Sequence, residues 1–160
     1  MLPDVLDHGL SIVFCGTAAG DKSAARQQYY AGDGNKFWHI LFETDLTKDK
    51  LHPILYRSVL HYKLGLTDLV KGKSGMDTTL KRSDFDLAAF REKILLYKPK
   101  LVCFNGKKAA EEYLGHKVSY GLQPETIGDT KLYVAPSTSG AANGSWDARY
   151  WHELKKLCKD

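Results

Sequence analysis

Asp68 is the residue of this sequence that most clearly suggests chemistry, because it is a carboxylate within the otherwise largely apolar run LGLTDLV at residues 64–70. Burying an ionised carboxylate is costly unless it has a partner or a task. A carboxylate held near a reacting group can take a proton from water or stabilise a developing positive charge. The structural alternative is that Asp68 only caps a turn after Thr67. Asp21 and Asp33, in a long loop nearer the N-terminus, are further candidates for the same chemistry.

Several other kinds of chemistry have no matching motif. The histidines form no pair at i and i+4 and no cluster with cysteine, and Cys15, Cys103 and Cys158 lie far apart, so no metal site is expected. The sequence contains no G-x-G-x-x-G, G-x-x-x-x-G-K-[ST] or G-x-S-x-G pattern. A dinucleotide site, a P-loop and a serine-hydrolase elbow are therefore disfavoured, and no cofactor is expected.

The elements that must position Asp68 can be predicted from hydrophobic runs and from caps. Apolar runs at residues 10–15, 100–105 and 131–135 predict buried strands. Caps and helical periodicity predict helices near Asn35, from Pro53 to Tyr62, from a capping box of Ser83 and Asp86 to Pro99, over 106–114, and over 146–158. Strands that alternate with helices predict an α/β fold with a parallel, doubly wound sheet.

The four segments that follow the apolar runs should meet at one edge of the sheet. In an open parallel sheet, ligands bind outside the carboxyl ends of the strands. We therefore expect the functional site among GTAAG at 16–20, LTDLVKGKSG at 66–75, FNGKK at 104–108 and PSTSGAANGS at 136–145.

Composition permits a nucleic-acid partner but does not require one. The chain has 160 residues, 43% of them hydrophobic and 26% charged, and a formal net charge of +4, which fits one globular domain. No apolar run approaches the ~18 residues of a membrane span, and the first residues lack the pattern of a signal peptide. With cysteines that show no disulfide framework, we expect a cytoplasmic protein with no membrane partner.

The motifs resemble those of a known enzyme family. GTAAG at 16–20, Tyr30-Ala31 and NKFW at 35–38 are similar to the first motif of the mismatch-specific uracil-DNA and thymine-DNA glycosylases, which reads G-x-N-P-G, an aromatic-Ala pair and N-[RK]-F-W. YKLGLTDLVK at 62–71 resembles the family's Y-x-x-G-x-T-x-L-V segment. Residues 104–107 resemble its strand-end G-K element, and 136–143 stand where it has a DNA-insertion loop.

This resemblance implies both a fold and an activity. The implied fold is a single α/β/α sandwich over residues 1–160, with a short, twisted, mostly parallel central sheet. The implied protein is a monomeric, nucleoid-associated, monofunctional DNA glycosylase of base excision repair. It would flip uracil out of single- or double-stranded DNA and hydrolyse the N-glycosidic bond to leave an abasic site, with no metal or cofactor.

The chain departs from the family pattern at positions that matter for catalysis. The family's first-motif asparagine positions the attacking water, and Ala18 stands in its place. Ser137 stands where an asparagine is usual, and Ala141 stands where a larger side chain wedges into the base stack. More distantly related uracil glycosylases combine an alanine in the first motif with an aspartate in a similar L-x-x-T-D segment. Asp68 is therefore predicted to activate the water or to stabilise the oxocarbenium ion.

The resemblance also assigns roles around the flipped base. Backbone N–H groups of Thr17 and Ala18, with the amide of Asn105, could receive the negative charge of the leaving base, although Asn105 could instead only satisfy strand-end backbone groups. Tyr30 is the predicted stacking residue. Its neighbour Tyr29 either blocks the pocket floor or packs as an ordinary half-buried aromatic residue.

The remaining predicted contacts are with DNA. Small residues of the last loop would meet phosphate or the emptied stack, and lysines after the strands would contact phosphate. The predicted small residues are Ser137, Ser139, Gly140 and Asn143, and the predicted lysines are Lys71, Lys73, Lys107 and Lys108. Two alternatives stay open: a catalytically silent module that binds lesions or abasic sites, and a glycosylase for hypoxanthine or another deaminated base.

Overall fold

The central element is a five-stranded sheet in the strand order β2-β1-β3-β5-β4. The computed structural model describes residues 2–71 and 85–158. The strands are β1 (Ile12–Gly16), β2 (Leu64–Asp68), β3 (Leu101–Asn105), β4 (Gly121–Ile127) and β5 (Thr130–Ala135). β1, β2, β3 and β5 are parallel to their neighbours in that group, and β4 pairs antiparallel with β5 at one edge.

Helices cover both faces of this sheet. They are α1 (Asp21–Arg26), α2 (Phe37–Glu43), α3 (Leu87–Tyr97), α4 (Lys107–Leu114) and α5 (Ala148–Leu157), with 3₁₀ segments at Pro53–Tyr62 and Gly140–Ser145. One core cluster joins α2, Pro53–Tyr62 and α5 to one face of the sheet, and a second joins α3 and α4 to the other. The α/β/α sandwich with a mostly parallel sheet is confirmed.

Successive side chains of a strand point to opposite faces of the sheet, and this explains why one strand contributes to two core clusters. In β1, Ile12 and Phe14 point into the first cluster, whereas Val13 and Cys15 point into the second. Side chains of successive strand residues point to opposite faces, so a strand covered on both sides appears as an uninterrupted apolar run. The predicted strands at 10–15, 100–105 and 131–135 were recognisable for this reason.

Four elements were not predicted from the sequence: β2, which appeared only as an apolar run, the 3₁₀ segment Gly140–Ser145, the strand β4 and the short helix α1. β4 contains Pro124 and a register irregularity between Leu122 and Thr126, and its exposure alternates because it is an edge strand. The turn Gly128–Asp129, with Gly128 at φ +58°, joins β4 to β5 and is the hairpin signal that could have revealed it. The short helix α1 lies within the segment for which the sequence predicts a long loop.

The start of α3 corrects the predicted capping box. Ser83 lies outside the described residues, and the helix begins at Leu87 rather than three residues earlier. Asp86 is itself the N-cap, because its side chain accepts a hydrogen bond from the backbone N–H of Ala89. The predicted helix over 53–62 has the right bounds but is a 3₁₀ segment with a kink at Leu55.

Candidate active site

A cleft of about 420 Å³ lies where the parallel strands end. The β1–β3 pair flanks the point where strand order reverses, which is where ligands bind in open α/β sheets. The walls of the cleft are formed by the segments after β1, β3 and β5, together with Tyr30 and Asn35 of the loop before α2. The lining residues are Gly16, Thr17, Gly20, Tyr30, Asn35, Asn105, Gly106, Lys107, Lys108, Ser137, Thr138, Ser139, Ala141 and Ala142.

Asp68 is the last residue of β2, beside the end of β1. It stands in register with Gly16, and the chain beyond it stays attached to β1 because Leu69 N–H donates to Gly16 O at 3.0 Å and Val70 N–H donates to Thr17 O at 2.7 Å. Only 5% of Asp68 is exposed. The strand pairing therefore holds a nearly buried carboxylate directly behind the cleft wall.

The two oxygens of Asp68 face different groups. Oδ2 lies 3.5 Å from Lys71 Nζ. Oδ1 packs against Gly16, because a β-carbon built there would stand 3.0 Å from it and 3.4 Å from the Tyr30 hydroxyl. A glycine at position 16 thus allows the carboxylate and Tyr30 to approach the β1 backbone closely, and Gly16, rather than Asp68 itself, lines the cleft.

Burial changes the acidity of Asp68. It raises the pKa of the carboxyl to about 6, and the positive charge of Lys71 offsets part of the rise. Asp68 is therefore mostly ionised at neutral pH, and its pKa is close enough to neutrality for it to accept a proton.

An ion-pair cluster that the sequence did not reveal lies behind Asp68. Asp4 accepts from Thr67 Oγ1 at 2.7 Å and pairs with Lys71 at 2.7 Å and with Lys93 at 2.6 Å. Burial alone would raise the pKa of Asp4, but the charge and hydrogen bonds of Lys71, with those of Lys93 and Thr67, hold it below its usual value. Asp4 and Lys93 are far from residues 67–71 in the sequence, so no spacing pattern could have grouped them.

Tyr30, the predicted stacking residue, lies in the wall of the cleft. Its ring lines the cleft and stacks on the buried Phe37 ring, with centroids 4.0 Å apart and planes at 27°. Its backbone has φ +53°, in the left-handed region that a bulky residue seldom adopts. Phe37 thus supports the ring from behind.

The Tyr30 hydroxyl is buried. The side-chain amide of Asn105, which also bonds to Thr138, lies close enough to hydrogen-bond with it. Burial and the charge of Asp68 raise the pKa of this hydroxyl, so it keeps its proton.

Tyr29 belongs to the core rather than to the cleft wall. Only 2% of it is exposed, and its hydroxyl donates to Pro3 O at 3.0 Å and accepts from Lys71 Nζ at 2.9 Å. Of the two readings left open for Tyr29, the structure favours structural packing, here with a contact to the ion-pair cluster behind Asp68.

Asn105 joins the end of β3 to the loop after β5. Its Nδ2 donates to Thr138 Oγ1 and its Oδ1 accepts from Thr138 N–H, both at 2.9 Å. Gly106 has φ +109°, and a β-carbon there would lie 3.2 Å from Ser137 Cβ. Both residues hold the loop after β5 close to β3, so the contacts seen for Asn105 are structural.

The predicted DNA-contacting loop is ordered largely by its own hydrogen bonds. Ser137 Oγ accepts from Ser139 N–H, and Ser139 Oγ accepts from Ala141 N–H at the start of the 3₁₀ segment. Ser137 and Ser139 line the cleft, whereas the exposed Asn143 accepts from Lys36 Nζ.

Gly140 is the point where this loop meets the loop before α2. A β-carbon on Gly140 would stand 3.2 Å from Gly34 O, so the approach of the two backbones requires a glycine. Asn35, which sequence reasoning used only as part of a motif, lines the cleft, and its Oδ1 accepts from Phe37 N–H at the start of α2.

The predicted phosphate-binding lysines lie in different places. Lys107 and Lys108 line the cleft, with Lys107 Nζ 4.5 Å from the centre of the Tyr120 ring and Lys108 paired with Glu112 at 2.6 Å. Lys71 does not line the cleft, because it is engaged with Asp4, Asp68 and Tyr29. Lys73 lies outside the described residues.

The other predicted residues are less suited to activating water. Asp21 and Asp33 are both exposed, and Asp33 is paired with Lys22 at 2.8 Å. Thr17 lines the cleft, and the half-buried Ala18 next to it does not. Of the three candidate aspartates, only Asp68 is buried.

Within residues 2–71 and 85–158, no three side chains of histidine, cysteine, aspartate or glutamate come together as a metal site. In the same part of the chain, no helix is long and apolar enough to cross a membrane.

Comparisons with known proteins agree with this geometry. Residues 3–156 match the family described as the uracil DNA glycosylase superfamily. The fold is similar to the solution NMR structure of a Methanosarcina acetivorans protein that is provisionally described as a uracil DNA glycosylase. The TM-score is 0.63 with 25% sequence identity, over 98% of this chain and 94% of the other. Because the family match extends over nearly the whole chain, this protein belongs to the uracil DNA glycosylase superfamily.

Proposed function

We propose that this protein is a monofunctional DNA glycosylase that flips uracil out of DNA and hydrolyses its N-glycosidic bond, with Asp68 activating the attacking water. The observation that carries the proposal is the placement of the buried Asp68 carboxylate at the end of β2, with Oδ1 packed against Gly16 of the cleft wall. Ala18 has no polar side chain, so the first motif itself offers no group there to bind water.

The chemistry needs one well-placed carboxylate. The water oxygen forms a bond to C1′ of the sugar as the N-glycosidic bond breaks, and the bonding electron pair leaves with the base. One proton of the water passes to Asp68, and the base anion takes a proton from solvent. A carboxylate with a pKa of about 6 is ionised at neutral pH, where it can both accept that proton and stabilise the oxocarbenium-like sugar.

Other residues of the cleft support binding of a flipped nucleotide. Extruding a base costs a few kcal/mol, which stacking and hydrogen bonds in the pocket must recover. Tyr30, supported by Phe37, offers the stacking surface, and Lys107 and Lys108 offer positive charge at the rim. Backbone N–H groups of Thr17 and Ala18 would meet the negative charge of the departing base.

The test is single-turnover excision of uracil from an oligonucleotide, detected by alkaline cleavage at the abasic site. Asp68→Asn keeps the size of the side chain but removes its basicity, so the rate should fall by about 10²- to 10⁴-fold while DNA binding persists. Asp33→Asn in an exposed loop and Asp21→Asn at the exposed start of α1 are matched controls, and both should retain the wild-type rate. Unchanged excision by Asp68→Asn would reject Asp68 as the water-activating residue.

A second candidate function is recognition of a lesion or an abasic site without catalysis. It is favoured by Ala18, Ser137 and Ala141, which replace larger or polar residues of the family pattern, and by the Lys71 ammonium beside Asp68. Strand breakage after alkaline treatment, at less than stoichiometric protein, would exclude this candidate.

A third candidate keeps the reaction and changes the base. A cleft of about 420 Å³ is in the range of small-molecule pockets and does not exclude a deaminated purine. A panel of uracil, thymine, hypoxanthine and xanthine, in single strands and opposite each partner base, identifies the substrate. If hypoxanthine were excised faster than uracil, hypoxanthine would become the proposed substrate.

A further inference from the structure

The Lys71 ammonium is surrounded by more acceptors than it has hydrogens to donate. Its Nζ lies 2.7 Å from Asp4 Oδ1, 2.9 Å from the Tyr29 hydroxyl and 3.3 Å from Leu2 O. A lysine ammonium has three N–H donors, and these three acceptors can take all of them. Asp68 Oδ2 is more distant, at 3.5 Å, which is longer than the roughly 2.7–3.2 Å of an ordinary N–H···O bond. Asp68 therefore receives the charge of Lys71 without a close hydrogen bond from it.

We infer that Asp4 is a positioning residue, which binds the Lys71 ammonium and keeps it from forming a close ion pair with Asp68. A carboxylate in a close ion pair is a weaker base, because the charge of its partner favours the ionised form. Asp4 thus preserves the basicity with which Asp68 accepts a proton from water. The inference rests on the proposed function, and it adds a residue outside the cleft on which the reaction depends.

Asp4 is itself held in place relative to Asp68. Its Oδ1 accepts from Thr67 Oγ1 at 2.7 Å, in the residue directly before Asp68, and its Oδ2 pairs with Lys93 at 2.6 Å. The next residue of the chain pairs with β2 through two backbone hydrogen bonds of 2.9 Å. The same strand therefore fixes both carboxylates, and Lys71 lies between them on the side of Asp4.

Titratable groups from several elements face the Asp68 carboxylate. They are Cys15 of β1, Tyr29 and Tyr30 of the loop before α2, Lys93 of α3, and Asp4 and Lys71 themselves. Burial raises the pKa of the thiol and of both hydroxyls, so these three groups keep their protons and carry no charge at neutral pH. Lys93 is bound to Asp4. The charge balance at Asp68 therefore depends on where Lys71 is held.

The test is Asp4→Asn, which keeps an acceptor for Thr67 Oγ1 and removes the charge that holds Lys71. The ammonium can then pair closely with Asp68, so the acid limb of the pH–rate profile for single-turnover uracil excision should move downward by roughly half a pH unit or more. The rate at saturating enzyme and neutral pH should fall roughly two- to tenfold, because the base is weaker. The half-saturating enzyme concentration should change by less than about twofold, because Asp4 does not line the cleft.

The matched control is Asp7→Asn. It removes the same charge from an exposed residue of the same segment, whose carboxylate accepts from the backbone N–H of His8. Its pH–rate profile should match that of the wild type. An acid limb that moves equally far in both variants overturns the inference, because the shift would then follow from net charge alone.

A double variant separates the positioning of Lys71 from the direct effect of the Asp4 charge. That charge also raises the pKa of Asp68 by itself, and this effect remains when Lys71 is absent. In the Lys71→Met background, Asp4→Asn should therefore shift the acid limb less than it does in the wild type. An equal shift in both backgrounds overturns the inference, and so does an acid limb that stays in place or moves upward in Asp4→Asn.

Two further measurements do not depend on excision. Titration of the Asp68 carboxyl carbon by NMR should give a lower pKa in Asp4→Asn than in the wild type, and an equal or higher pKa overturns the inference alone. A high-resolution crystal structure of the wild type should show Lys71 Nζ closer to Asp4 than to Asp68, and the reverse order overturns the inference whether or not the variant folds. Absence of excision by the wild type on every base of the panel overturns the proposed function and, with it, the role of Asp4 in catalysis.

Discussion

Lys71 contacts two carboxylates at once, and its charge opposes the effect of burial on the pKa of Asp68. Its Nζ lies 2.7 Å from Asp4 and 3.5 Å from Asp68. Asp4 has two further partners, Lys93 and Thr67, whereas Lys71 is the only cation among the described residues within ion-pair distance of Asp68. Lys71 therefore lowers the pKa of a carboxyl that burial has raised.

Replacing Lys71 should change the pH dependence of excision. Asp68 must be ionised to accept a proton, so the rate of the wild type should fall as the pH drops through about 6. In Lys71→Met the loss of the ammonium raises the pKa of Asp68, and the acid limb should move upward by about one pH unit or more. The pH–rate profile of single-turnover excision measures this shift.

The control for that experiment is Lys131→Met. Lys131 lies on β5, in register with Leu101 at the opposite end of the sheet from the cleft, and it is exposed. Its profile should match that of the wild type. An acid limb that stays in place in Lys71→Met would show that Asp68 is not the titrating group.

At the scale of elements, Asn105 and Thr138 connect the two loops that form one wall of the cleft. Asn105→Ala removes both hydrogen bonds to Thr138, which is itself buried. The free energy of unfolding, measured by urea denaturation, should fall by roughly 1–3 kcal/mol, because buried polar groups of Thr138 lose their partner. Excision should weaken as the loop loosens. If excision falls while the stability is unchanged, Asn105 acts as a base contact instead.

Strands and helices could be predicted from the sequence where one local signal determined them. β1, β3 and β5 are apolar on both faces and appear as uninterrupted runs, and α5 has a regular amphipathic pattern. β4 could not be recognised in this way because it is an edge strand with Pro124 in it. The ends of the parallel strands then placed Gly16, Asp68 and Asn105 at one edge of the sheet, as predicted.

The side-chain network of the site could not be predicted in the same way. Asp4 reaches Lys71 and Lys93 only because the N-terminal segment pairs with β2 through Val5 and Leu66. That pairing forms only in the folded chain and leaves no periodic pattern in the sequence. For the same reason, Lys71 looked like a surface lysine in the sequence although it is engaged with the carboxylates behind the cleft.

At the scale of the whole molecule, the net charge of +4 says little about where DNA would bind. Lys71 and Lys93 neutralise Asp4 and Asp68 behind the cleft, so their charges are not offered to phosphate. Lys107 and Lys108 line the cleft, but Lys108 is paired with Glu112, and Lys36 reaches Asn143 on the neighbouring loop. Of the cleft-lining lysines, only Lys107 therefore has no carboxylate partner among the described residues, and phosphate contacts depend on the position of each such cation.

The buried carboxylate should also have a cost for the stability of the whole fold. The pKa of Asp68 is about 6 in the folded protein against 3.8 for the ordinary group, so the folded state holds a proton that the unfolded state releases between these values. The contribution of Asp68 to stability therefore declines as the pH rises from about 4 to 6, by about 3 kcal/mol, and stays lower above that range.

Asp68→Asn removes this cost because it cannot ionise. Relative to the wild type, the variant should gain stability as the pH rises through 4 to 6, and it should be the more stable protein at pH 8 even though its excision is lost. Urea denaturation at a series of pH values measures the difference, with Asp129→Asn in the exposed β4–β5 turn as the control that should follow the wild type. The opposite result would be a stability difference, variant minus wild type, that is smaller at pH 8 than at pH 5. The Asp68–Lys71 pair would then be stabilising the fold. Asp68 would then have a structural reason to be buried, and the argument that its burial serves catalysis would lose its physical basis.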